Sequence, residues 1–261
     1  MNKINKLFAG KKSGILSVYF TAGYPQLNDT QKVVTALMDS GVDMIELGIP
    51  FSDPLADGTV IQGSNEQALR NGISLELIFQ QLAETPLRVP VVLMGYINPI
   101  LCYGMERFVR AAAACGIAGV IIPDLPVSVY EREYRQLFEA QDLPVIFLIT
   151  PDTTSERIRA IDGLSNGFIY MVTTPGTTGR EDGKGFDNTA YFERVHHMNL
   201  RNPLLAGFGI SRKADIDQLQ QYVAGVIVGS AYIKALQGAE NNLEHKTKHF
   251  INQLRHDRTT Q

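Results

Sequence analysis

The chain has 261 residues, 44% of them hydrophobic, 20% charged and 8% aromatic, enough apolar material for one large core or two small ones. A formal net charge of −3 with mixed signs and no long basic run excludes the electrostatic footprint of a nucleic-acid binder. No apolar run approaches the ~20 residues that a bilayer-spanning helix needs, and the apolar segment after Met1-Asn2-Lys3-Ile4-Asn5-Lys6 is too short for a secretory leader, so a cytoplasmic location is expected.

An N-terminal helix precedes the first predicted strand, residues 15–20. A helix over 30–40, opened by Asn28, leads to the second strand, 42–48. The long segment before the third strand, 91–95, holds a helix beginning near Thr59 and another over 75–83, opened by Ser74. A helical segment containing Cys102 and Cys115, whose spacing suits neither a zinc nor a redox motif, leads to the fourth strand, 118–122, so both thiols are expected to be reduced and structural. Then come a strand at 145–149, a helix over 155–161 behind Asp152 or Thr153, and a strand at 167–172. A helix over 189–197 behind Asp187, a strand at 203–206, a helix over 214–222 behind Ser211 and a strand at 224–228 complete the pattern. Eight short apolar strands alternating with helices, without a polar linker, predict a parallel α/β protein. The length and pattern point to a (β/α)8 TIM barrel, one domain over 1–261, with an extra N-terminal helix and an extra helical segment after strand 2; an open doubly wound sheet is the rival.

Chemistry concentrates after the strands. Glu46 lies in an apolar strand where desolvation raises a carboxyl pKa and poises it for proton transfer. Asp57 follows on a loop restricted by Pro50 and Pro54. Each has a plainer reading, Glu46 as a paired core carboxylate and Asp57 as a helix cap. Asp43 reads as a structural partner for an arginine or a backbone amide, and Asp124 as shaping a turn between two prolines. Glycine-bearing loops at Gly176-Thr177-Thr178-Gly179, Gly207-Phe208-Gly209-Ile210-Ser211 and Gly229-Ser230 each follow a strand and suit a phosphate cradle, because glycine lets backbone N–H groups approach an anion. The span 173–186 is a candidate lid or simply a surface loop. All five histidines fall in the last third, in helical segments, and no lysine lies within a predicted strand, which argues against a histidine-held metal and a Schiff-base lysine. Metal-free acid/base chemistry on a small phosphorylated molecule remains.

The run Glu46-Leu47-Gly48-Ile49-Pro50-Phe51-Ser52-Asp53-Pro54-Leu55-Ala56-Asp57-Gly58 resembles the signature of the tryptophan synthase alpha subunit family. Phe20-Thr21-Ala22-Gly23-Tyr24-Pro25, Leu93-Met94-Gly95-Tyr96-Ile97-Asn98-Pro99-Ile100, Ile122-Pro123-Asp124-Leu125-Pro126 and Gly225-Val226-Ile227-Val228-Gly229-Ser230-Ala231 match in the same order. The resemblance implies a cofactor-free retro-aldol cleavage of indole-3-glycerol phosphate to indole and glyceraldehyde 3-phosphate. Glu46 would be the acid/base, and Asp57 would accept the indole N–H and stabilise positive charge on the ring. Tyr19, Ile61, Leu93 and Ile121 would flank the indole. Tyr170 would line the site, Thr178 would engage Asp57 from the lid, and Gly179, Gly207, Phe208, Gly209, Gly229 and Ser230 would surround the phosphate. The resemblance also implies an alpha2beta2 heterotetramer with a beta subunit that alone carries pyridoxal phosphate, with Asp53, Pro54, Asn98 and Pro99 facing that partner. Thr59 departs from the family's usual proline, and 173–179 from its commoner lid form. The enzyme that forms indole-3-glycerol phosphate is disfavoured because no strand lysine is present; a non-catalytic activator of a beta subunit is the alternative from another class.

Overall fold

The structure, a computed structural model, describes residues 1–54, 57–173, 189–207, 209–239 and 242–256. Runs of Val, Ile and Leu that are apolar on both faces form strands only where both faces are covered, and every one of the seven positions of β1 (Ile15–Thr21) is buried. The same holds along β2 (Met44–Gly48) and, apart from half-buried Met94, along β3 (Val91–Met94). β4 (Gly119–Ile121), β5 (Val145–Ile146), β6 (Leu148–Ile149), β7 (Ile169–Val172), β8 (Leu204–Gly207) and β9 (Gly225–Val228) follow. All pairings are parallel, in the order β5-β4-β3-β2-β1-β9-β8-β7-β6.

The two ends of that order are pieces of one predicted strand. β5 pairs with β4, β6 pairs with β7, and only Phe147 separates them, its carbonyl accepting from Tyr170 N–H at 2.9 Å. The sheet therefore returns on itself as a nearly closed eight-position barrel. Strands neighbour one another in chain order with no switch point, which removes the doubly wound rival.

The extra N-terminal helix, Lys3–Gly10, starts at Asn2, whose side chain accepts from Asn5 N–H at 2.8 Å. It buries Ile4 and Phe8; Ile4 packs against Gly119 and Gly167, and Phe8 lies 6.3 Å from the Phe168 ring, so the helix plugs the end of the barrel where the strands begin. The long β2–β3 segment contains helices Thr59–Arg70 and Leu75–Ala83, as expected. Ser74 caps the second, accepting from Leu77 N–H at 3.3 Å.

Other caps differ from expectation by a residue or so, since neighbouring Ser, Thr, Asp and Asn are equivalent to a pattern reading. Asp29 rather than Asn28 precedes Thr30–Asp39, and Thr154 caps Ser155–Leu164. Helix Lys213–Leu219 follows Arg212, and Asp215 reaches back to accept from Ser211 and Arg212 N–H at 3.0 and 2.9 Å. Asp187 lies outside the described residues. Asp43 accepts from Leu16 N–H at 2.9 Å and pairs with Lys11 at 2.7 Å, so the cation is a lysine, not an arginine. Asp124 accepts from Ile97 N–H at 2.9 Å and so holds the start of helix Ile97–Tyr103. Cys102 and Cys115 are free thiols.

Candidate active site

At the C-terminal end of the barrel a cavity of about 190 Å³ opens between β1, β3, β7 and β9. Its walls differ at the two ends. Tyr19, Asp57, Ile61, Met94, Tyr170 and Ile227 form an aromatic and aliphatic end with one carboxyl. Gly209, Ile210, Ser211, Gly229, Ser230, Ala231 and Lys234 form the other, rich in small residues and backbone, with one cation.

Two tyrosines shape the apolar end by the same device. Tyr19 stands opposite Glu46 in the β1–β2 register, and Tyr170 opposite Leu205 in the β7–β8 register. Each leans along its strand and lies over the glycine two residues on in the neighbouring strand, Gly48 and Gly207 respectively. A Cβ at either glycine would collide with the phenol. Gly207 therefore serves the site from beneath Tyr170 and is not on the cavity wall. Gly48→Ala is expected to drive Tyr19 off its seat, costing about 1–3 kcal/mol of stability by overpacking and raising KM. A urea titration with steady-state kinetics checks both, and an unchanged KM would mean that the ring finds another position at no cost to the site.

Glu46 is fully buried beside Tyr19 on β2, just off the cavity wall, and neither carboxyl oxygen has a hydrogen-bond partner. Burial pushes its pKa up to about 8, the nearby Ser17 hydroxyl opposing the shift. No cation pairs with it among the described residues. Asp57 is 7% exposed and does line the cavity. Burial pushes it up to about 6, with Asn65 and Tyr96 opposing; Asn65 Nδ2 donates to its Oδ2 at 3.3 Å. Its capping reading fails, because helix Thr59–Arg70 is preceded by Gly58 and has no side-chain cap. That helix instead presents Ile61 to the cavity and, four residues on, Asn65 to Asp57. Thr59 occupies its first helical position, where the family's proline would also be tolerated.

Of the expected indole neighbours, Tyr19 and Ile61 are on the wall. Leu93 is not: side chains alternate along a strand, and the adjacent Met94 takes the place while Leu93 is buried outside the cavity. Ile121 pairs with Met94 on the same face and is buried behind the wall. Gly209, Gly229 and Ser230 gather at the polar end as expected. Thr178, Gly179, Phe208 and most of the candidate lid lie outside the described residues. Met94, Ile210, Ile227, Ala231 and Lys234 were not anticipated; for Lys234 the signal was its spacing, one helical turn after Ser230. On the outside, Asp53 and Asn98 are exposed and Pro54 and Pro99 half-buried. Among the described residues no helix is long and apolar enough to cross a membrane.

A family model described as "Tryptophan synthase alpha chain" matches residues 6–260. The tryptophan synthase alpha chain of Flavobacterium psychrophilum is 51% identical over 259 residues, covering 97% of this chain and 100% of that one. Among solved structures, Mycobacterium tuberculosis tryptophan synthase superposes with a TM-score of 0.86 at 32% identity, covering 97% of this chain and 96% of that one. The tryptophan synthase complex of Pyrococcus furiosus gives 0.81 at 32% identity, covering 94% of this chain and 98% of that one.

Proposed function

The chain belongs to the tryptophan synthase alpha chain family, and from that premise we propose that Glu46 and Asp57 carry out its cleavage of indole-3-glycerol phosphate to indole and glyceraldehyde 3-phosphate. The observation that carries the assignment is that one carboxyl, Asp57, lines the cavity and a second, Glu46, is buried beside Tyr19 at its wall, where burial pushes the two up to about 6 and about 8 respectively. Near pH 7 Glu46 is then a proton donor and Asp57 an anion, a division of labour set by environment alone.

Glu46 turns past Tyr19 into the cavity and gives its proton to the indole carbon that carries the glycerol chain. Positive charge developing on the ring is met by Asp57, which accepts the indole N–H. The resulting Glu46 carboxylate takes the proton of the hydroxyl next to the bond. Carbon–carbon cleavage follows, its electron pair returns to the ring, an aldehyde is left, and Glu46 is protonated as at the start. The aromatic end between Tyr19 and Tyr170 suits the indole. Backbone and hydroxyls at Gly209, Ser211, Gly229 and Ser230 suit the phosphate, with Lys234 the one cation on the wall among the described residues.

The chain itself needs no cofactor in this reading. Its partner is a beta subunit, in an alpha2beta2 complex in the cytoplasm; that subunit carries pyridoxal phosphate and consumes the indole, and Asp53, Pro54, Asn98 and Pro99 face it. Indole release from indole-3-glycerol phosphate is expected to be slow for the chain alone and to accelerate when a beta subunit is added. Absence of release in both conditions, with the ligand still bound, would favour a non-catalytic activator instead.

A further inference from the structure

One hydroxyl inside the barrel is left without a role by the site as described. Ser17, on β1, has no exposure, and its Oγ has no hydrogen-bond partner. The same is true of both carboxyl oxygens of Glu46 on the adjacent strand. A buried hydroxyl left unpaired costs about 1–3 kcal/mol and a buried carboxyl at least as much. Two such groups in one barrel interior call for a common explanation.

Their placement supplies one. The β1–β2 register sets Tyr19 opposite Glu46 and Ser17 opposite Met44. Side-chain alternation then puts Ser17, Tyr19 and Glu46 on one face of the sheet, with Ser17 the diagonal neighbour of Glu46, deeper in the barrel and farther from the cavity mouth. The Tyr19 phenol lies over Gly48 instead. The ionisable groups that interact with Glu46 are Tyr19 from β1 and Tyr170 from β7, both of which also feel Asp57. β3, its other strand neighbour, offers only Val91, Val92, Leu93 and Met94. The hydroxyl deep in the barrel is thus placed to draw the carboxyl inward, away from the substrate.

We infer that Ser17 is a positioning residue for this reaction, its unpaired hydroxyl the group onto which the unpaired Glu46 carboxyl can turn to form a hydrogen bond, one that holds the carboxyl back from the cavity until substrate enters. The inference rests on Glu46 being the acid/base. A hydroxyl that donates to the carboxylate favours its ionised form, so the Ser17–Glu46 pair sets the pH at which the donor is lost as well as its position. The burial-raised pKa of Glu46 and the opposing influence of Ser17 agree with this direction.

The test compares the pH dependence of kcat/KM in the wild type, Ser17→Ala and Ser17→Thr. Activity requires a protonated Glu46 at the outset and falls on the alkaline side. Removing the hydroxyl is expected to move that limb up by about half a unit to one unit, and threonine to return it. Denaturant midpoints of Ser17→Ala in the wild type and in a Glu46→Leu background give the coupling between the two groups. Alanine is expected to lower the midpoint when Glu46 is present and to leave it equal or higher when leucine has replaced it. An unmoved limb, with alanine raising the midpoint in both backgrounds, would show an orphan hydroxyl and overturn the proposal. Full cleavage by Glu46→Gln would instead overturn the catalytic reading beneath it, so the two failures are separable.

Discussion

Glu46→Gln is expected to lower kcat by about 10³-fold or more, the loss associated with removing an essential proton-transfer group, while substrate affinity stays within a few-fold. Glutamine keeps the shape of the side chain and cannot exchange the proton. Calorimetry with uncleaved indole-3-glycerol phosphate, beside single-turnover indole release, measures both quantities. A rate near that of the wild type would end the acid/base assignment.

The same variant tests burial of the carboxyl independently of catalysis. Glu46 ionises at about 8 in the folded chain against an ordinary 4.5. Between those values the folded state holds a proton that the unfolded state has released. Stability therefore falls as pH rises, by up to about 1.4 kcal/mol per unit. The contribution is whole below the ordinary value and gone above the raised one. Glutamine has no such slope, so across pH 5 to 9 the wild type should lose several kcal/mol relative to Glu46→Gln. Parallel curves would mean that water reaches the carboxyl.

Asp57→Asn is expected to cost about 10²- to 10³-fold in kcat with KM little changed, because charge is lost where positive charge develops only in the transition state. Asn65 and Tyr96 hold the wild-type carboxylate in place and remain to hold the amide. The wild type should also lose activity as pH falls through about 6, when Asp57 is neutralised; the variant should lack that acid limb. A loss confined to KM would make Asp57 a binding group with no part in the chemical step.

Much of the barrel and both carboxyls are legible in the amino-acid sequence. Strands buried on both faces announce themselves as apolar runs, and a carboxyl inside one, such as Glu46, stands out because burying it is costly unless it is used. Asp57 is findable from its loop. Less legible is which residue of a strand faces inward: Leu93 and Met94 are equally apolar, and only pairing across the sheet fixes their parity. Ser17 carries no signal, since a serine in an apolar strand acquires meaning only from its diagonal neighbour. Lys11 as the partner of Asp43 depends on how the N-terminal helix returns over the barrel. The break at Phe147 is invisible because Val145, Ile146, Leu148 and Ile149 are as strand-like as any run in the chain.

That break gives the ring a seam. The β1–β2 ladder is five residue pairs long, whereas the two junctions flanking Phe147 have two each, as does the β8–β9 junction. Opening free energies follow the local density of protected backbone bonds, so amide exchange is expected to run faster at the seam than along the β1–β2 ladder. Tyr19 and Glu46 sit on the long ladder at the far side of the circle. The carboxyl proposed as the proton donor thus stands on the longest ladder of the ring, an anvil set opposite the seam.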